Sequence, residues 1–178
     1  MFTGTKILTS VLMIFGTHSA FAHDAEALAA TDFFKFFAGT YQVVKRTCRA
    51  GDSICASVDS VEVVSKDGEP ARLLEFSNGK LLDQTIPNVY GDVSSGQSYG
   101  MIYGTPTEIA GWKETLKNSD KKVTEENNAG IRAQSNPDEN GPVFIYLFSK
   151  GHNTYDPSTG KVLSHSLRDY QLVRNGEQ

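Results

Sequence analysis

The chain has no apolar run long enough to cross a bilayer, which takes about 20 residues. Its apolar stretch Ile7 to Phe15 is short and is broken by Thr9 and Ser10. Clustered positive charge is also missing. With 17 Lys and Arg against 21 Asp and Glu, the net charge is −4, which argues against nucleic acid or an anionic membrane surface as partner. Cysteine is scarce: only Cys48 and Cys55 are present, with no second Cys or His pair nearby, so a four-ligand zinc site has no completion. Patterns of the form H-x-H, H-E-x-x-H, a calcium loop or a G-x-S-x-G elbow do not occur. No internal repeat or long low-complexity tract interrupts the chain.

What is there begins with an export signature. Lys6, the apolar stretch and Ala20-Phe21-Ala22 together form a secretory signal peptide, with cleavage expected after Ala22. The mature chain, His23 to Gln178, is then a single domain in the periplasm or outside the cell. Losing Lys6 takes the net charge from −4 to −5. In an oxidising compartment two cysteines are expected to join, so Cys48 and Cys55 are assigned a disulfide.

Ala25 to Phe37 reads as a helix that places Leu28, Phe33 and Phe37 on one face and stops at Gly39. After Gly39 the period becomes two, with Tyr41, Val43 and Lys45 alternating against Gln42, Val44 and Arg46. Further strands are expected at Ser57 to Ser65, Ala71 to Phe76, Lys80 to Ile86, Gln97 to Tyr103 and Glu108 to Leu116. Shorter ones follow at Lys121 to Glu125 and Ile131 to Gln134, then Val143 to Lys150 and Val162 to Arg174. Turn residues punctuate them: Lys66-Asp67-Gly68, Ser77-Asn78-Gly79, Asn118 to Asp120, Asn127-Asn128 and Asp156 to Gly160. The polar stretch Ser119 to Gly141 is expected to project as exposed hairpins. Short connections favour next-neighbour antiparallel pairing, and closing such a meander removes its open edges. The expected fold is mainly β: an antiparallel up-and-down β-barrel with a short N-terminal helix.

A short helix followed by Gly39-Thr40-Tyr41 at the start of the first strand resembles the lipocalin-like (calycin) proteins, whose Gly-x-Trp motif it matches with Tyr for Trp. The resemblance implies that the helix plugs one end of the barrel and that Tyr41 packs on its floor. It also implies a last-strand arginine over that ring, for which Arg168 and Arg174 are both candidates.

Candidate catalytic groups are sparse. His165 and Asp169 share a side of the last strand, flanked by Ser164 and Ser166, and His152, Asp156 and His165 are the nearest approach to a metal set. Without a motif these read as wall and turn residues, so no catalytic residue, metal or cofactor is assigned. The aromatic strands say more. Tyr99, Met101 and Tyr103 alternate with glycines, and Phe144, Tyr146 and Phe148 alternate with Val143, Ile145 and Leu147, an apolar pattern on both faces. With Trp112 these six residues are the expected lining of an interior pocket for a small apolar molecule. The functional expectation is a non-enzymatic binding protein of lipocalin-like type. The alternative is a protein-binding module, such as an inhibitor of secreted proteases or lysozyme.

Overall fold

A computed structural model describes residues 33–49, 52–87, 98–105, 108–138 and 140–177. The expected signal peptide and most of the expected N-terminal helix lie outside the described residues. Its last part is one helical turn at residues 33–35, closed by Phe37 N–H donating to Phe34 O at 3.0 Å.

Nine antiparallel strands follow: β1 (Gly39–Cys48), β2 (Ser60–Val64), β3 (Arg72–Ser77), β4 (Lys80–Thr85), β5 (Ser98–Thr105), β6 (Ile109–Lys117), β7 (Val123–Ser135), β8 (Phe144–Tyr155) and β9 (Val162–Arg174). They form one sheet in the order β4-β3-β2-β1-β9-β8-β7-β6-β5. Sequence neighbours pair throughout, and the first strand pairs with the last. Among the described residues β4 and β5 remain edges. The expected closed barrel is therefore a curled half-barrel.

The curl is strong. Five strand spacings separate β4 from β8, about 24 Å in a flat sheet, yet Lys150 Nζ of β8 lies 2.8 Å from Asp83 Oδ2 of β4. The alternation of each strand selects the concave face. Tyr41, Val61, Val63, Leu73, Ile131 and Leu172 point inward and are almost fully buried. In β1 a bulge between Val43 and Lys45 pushes Val44 outward and moves the inward parity onto Arg46 and Cys48.

The turns obey their residues. Asn78 and Gly79 both take positive φ, 49° and 73°, as a two-residue hairpin loop between β3 and β4 needs. One expected turn is absent. Asn127-Asn128 lies inside β7, a single 13-residue strand paired on both sides, so the stretch from Ser119 does not project as exposed hairpins. Ladder bonds to two neighbours outweigh the weak local preference of asparagine for turns. Likewise β8 runs on to Tyr155, beyond the expected end at Lys150.

Cys48 and Cys55 are bridged, with Cα atoms 5.7 Å apart. They are not opposite one another in a hairpin. Cys48 pairs with Arg168 of β9, and Cys55 opens a 3-10 turn, Cys55–Ser57, so the bond staples the β1–β2 loop onto the concave side. Cys55 and Val58 of that loop are fully buried in the core. The chain-entropy model gives roughly 2.5 kcal/mol for a loop this short. The double variant Cys48→Ala/Cys55→Ala is expected to fold and to melt several degrees lower. A thermal scan that finds no folded state would show that the loop is essential to the core.

Candidate functional site

The register arranges the concave face in rows that change character along the strands. At one end Tyr41 of β1 stands beside Arg174 of β9, and the next row sets Leu172 beside Tyr146 and Ala133. Then come Tyr170, Phe148, Ile131 and Ala110, followed by Arg168, Lys150, Ala129 and Trp112. The next row is polar: Ser166, His152, Asn127 and Glu114. The aromatic rows are buried, whereas the residues of this polar row are half-buried.

The aromatic end is plugged. Phe34 and Phe37 are fully buried, and the Phe37 ring meets Tyr146 edge-on with centroids 6.4 Å apart. Tyr41 packs against Tyr146 at 5.0 Å, and its hydroxyl donates to Phe37 O. Arg174 lies over this group, 4.8 Å from the Tyr146 ring centre and 5.3 Å from that of Tyr41. Its Nη2 donates to Tyr41 Oη at 2.7 Å and to Phe36 O at 2.6 Å. Of the two candidate arginines, Arg174 is thus the one that covers the first-strand aromatic.

Arg168 does something else. Its Nη1 donates to Glu75 Oε2 at 2.9 Å and Asp83 Oδ2 at 2.8 Å, and its Nε donates to Asp52. Lys150 joins Asp83 and Glu75, and Tyr170 donates its hydroxyl to Glu75 Oε1 at 2.9 Å. Three acids and two bases from the β1–β2 loop, β3, β4, β8 and β9 thereby cross the inside of the half-barrel and hold its two flanks together. Glu75 is 1% exposed. Burial alone would raise the Asp52 carboxyl, but hydrogen bonds from Arg168 and from the N–H groups of Cys55 and Ile54 hold it below the usual carboxylate range. Asp83 is held low in the same way, by Lys150 first and then Arg168, against its own burial. Of these five charged residues only Arg168 was singled out from the sequence, and for a different role, as a candidate cover for the first-strand aromatic. The one available signal was Glu75, a lone charge at an inward position between Leu73, Leu74 and Phe76.

Comparison with known proteins finds no matching family model, curated protein or solved structure.

The expected pocket residues are only partly brought together. Trp112, Tyr146 and Phe148 share the concave face and are at most 5% exposed, with Phe144 half-buried beside Tyr146 at 6.4 Å. Tyr99, Met101 and Tyr103 stand opposite Thr115, Lys113 and Gly111 in the β5–β6 ladder, and their side chains lie outside the described residues. His165 and Asp169 share the outer face as expected but have separate partners, Asn153 and Ser149. His152 belongs to the inner face, where it meets Asn127, so it is parted from His165. Among the described residues no three His, Cys, Asp or Glu side chains gather as a metal would require.

The buried phenols give the concave face an alkaline signature. Burial pushes Tyr146 up to about 12, with Arg174 opposing and Glu177 assisting. Burial also raises Tyr41, against Arg174, and raises Tyr170, where the Glu75 charge adds to the effect. A phenol whose folded value exceeds the unfolded one, near 10, loses stabilisation as pH rises past that value. The unfolded chain then sheds its proton while the fold keeps it. Urea unfolding is expected to show stability falling from about pH 10 upward. A flat profile to pH 11 would mean that these hydroxyls ionise freely in the fold.

Proposed function

We propose that this chain is a non-enzymatic binding protein for a small molecule with an apolar body, working in an extracytoplasmic compartment. The observation that supports it most is the gradient on the concave face. A buried aromatic floor of Phe148, Tyr170 and Trp112 leads to a half-buried polar row of His152, Asn127 and Glu114. An apolar body that parts these rings and enters among them loses water contact, while a polar end meets hydrogen-bonding groups. The lipocalin-like reading of Gly39-Thr40-Tyr41 is in keeping with the plug residues and the Arg174 cover.

The alternative, a protein-binding module such as an inhibitor of secreted proteases or lysozyme, is favoured by a different observation. The described core rings touch one another directly, Phe148 and Tyr170 stacking at 5.5 Å. One experiment separates the two. Trp112 is the single tryptophan and lies on the concave face. Titration with the neutral probe N-phenyl-1-naphthylamine is expected to change its emission saturably, at one probe per chain. No change in Trp112 emission would favour the protein-binding module.

A further inference from the structure

The opposite face of the sheet carries a depression of about 540 Å³ that spans β1, β9, β8, β7 and β6. Its floor is low because the ladder places Gly130, Ser149, Asp169 and Thr47 side by side across four strands. One wall is the next row, Arg132, Leu147, Gln171 and Lys45. Asn128 stands on the other side, lying so close over Gly151 that a Cβ there would come within 2.9 Å of its amide nitrogen.

The chemistry of this lining is specific. Asp169 Oδ1 accepts the Ser149 hydroxyl at 2.7 Å, and its second oxygen faces no hydrogen-bond donor among the described residues. Lys45 and Arg132 are exposed and have no ion-pair or hydrogen-bond partner among the described residues. Three strand spacings, about 14 Å, separate them along the wall. By contrast Lys113, nearer the other side, is neutralised by Glu126 at 3.2 Å.

We propose that this depression binds an acidic oligosaccharide. Lys45 and Arg132 would each take a carboxylate at the two ends of the bound stretch. Asn128, Gln171, Thr47 and the free oxygen of Asp169 offer donors and acceptors suited to ring hydroxyls, and Leu147 offers an apolar patch to a ring face. An extended peptide fits less well. Strand addition needs a free sheet edge, whereas β7, β8 and β9 are paired on both sides here. A continuous polyanion would set its middle charges against Asp169. The inference is independent of the concave-face reading, since the two surfaces lie on opposite sides of the sheet.

The test uses the full chain, with a hyaluronan tetrasaccharide as probe, whose two carboxylates lie on alternate sugars, and calorimetry at low salt as readout. Saturable binding is expected, weakened about tenfold by Lys45→Gln/Arg132→Gln through loss of two charge-assisted contacts. Gly130→Val, which fills the floor with a strand-compatible side chain, is expected to abolish it. Circular dichroism and the Trp112 emission confirm that each variant is folded, and Gly130→Ala serves if the valine variant is not. Absence of binding, or binding unchanged by the charge variant, overturns the proposal. So does equal binding of a poly-glutamate peptide, which would make the surface a general acceptor of acidic chains.

Discussion

Replacing Arg168 with methionine should cost about 3–5 kcal/mol of folding stability, because it leaves buried carboxylates without their partner. The side chain of Asp52 is 3% exposed and that of Glu75 1%, so neither can recover its hydration in the folded state. For a domain of this size the melting temperature should drop by roughly 6–20 °C. Glu75→Gln is expected to cost less. It leaves two acids against two bases, and the amide oxygen can still accept the Tyr170 hydroxyl. The pH profile distinguishes this network from simple loss of packing. Asp52 and Asp83 have depressed folded values, so their stabilisation is present above about pH 4 and is lost as pH falls through those lower values. In Arg168→Met that acid limb should flatten in part, since Asp52 loses its charged partner while Asp83 keeps Lys150. An unaltered acid limb together with a small loss of stability would show that the cluster does not hold the flanks of the half-barrel.

Phe37→Ala should be comparably severe, at about 3–5 kcal/mol, the usual cost of emptying a buried phenylalanine site. Phe37 is fully buried, with Phe36 at 5.1 Å and Tyr146 at 6.4 Å between ring centres. The Tyr41 hydroxyl bonds to its carbonyl rather than to its ring, so that bond survives the substitution and the loss reports the cavity alone. Phe37→Leu should recover a substantial part. If chemical denaturation shows a loss below about 1 kcal/mol, the plug collapses onto the space and is not a fixed part of the core. Both variants should exceed the loss from removing the Cys48–Cys55 bond, which ranks the charged crossbar and the aromatic plug above the staple.

Much of the strand order was legible because its signals are local. Alternation after Gly39, the Asn78-Gly79 pair and the Asp156 to Gly160 turn each act over a few residues, and the structure uses all three. Asn127-Asn128 misled for the complementary reason: its turn preference is a weak local term, and the competing ladder bonds come from β6 and β8 on either side. The candidate site was legible only in its apolar part. Period puts Tyr146 and Phe148 on one face of β8, but the strand is apolar on both faces and only the ladder and burial show which one is inward. The outcome at the edges was not legible either, since alternation is the same in a closed barrel and a half-barrel.

The sequence by itself therefore determined the β class, the hairpin order and the cysteine pair, all of which rest on periodicity and near-neighbour chemistry. Tertiary structure decided the charged crossbar, whose Asp83 and Arg168 are 85 residues apart and four strands apart in the sheet, and meet only because the sheet curls. It also decided between the two arginines. Arg168 and Arg174 share one face of β9 and differ only in their ladder partners, Cys48 for one and Tyr41 for the other. That difference follows from the register of β1 against β9 and from the bulge after Val43, neither of which is written in either arginine's surroundings in the chain.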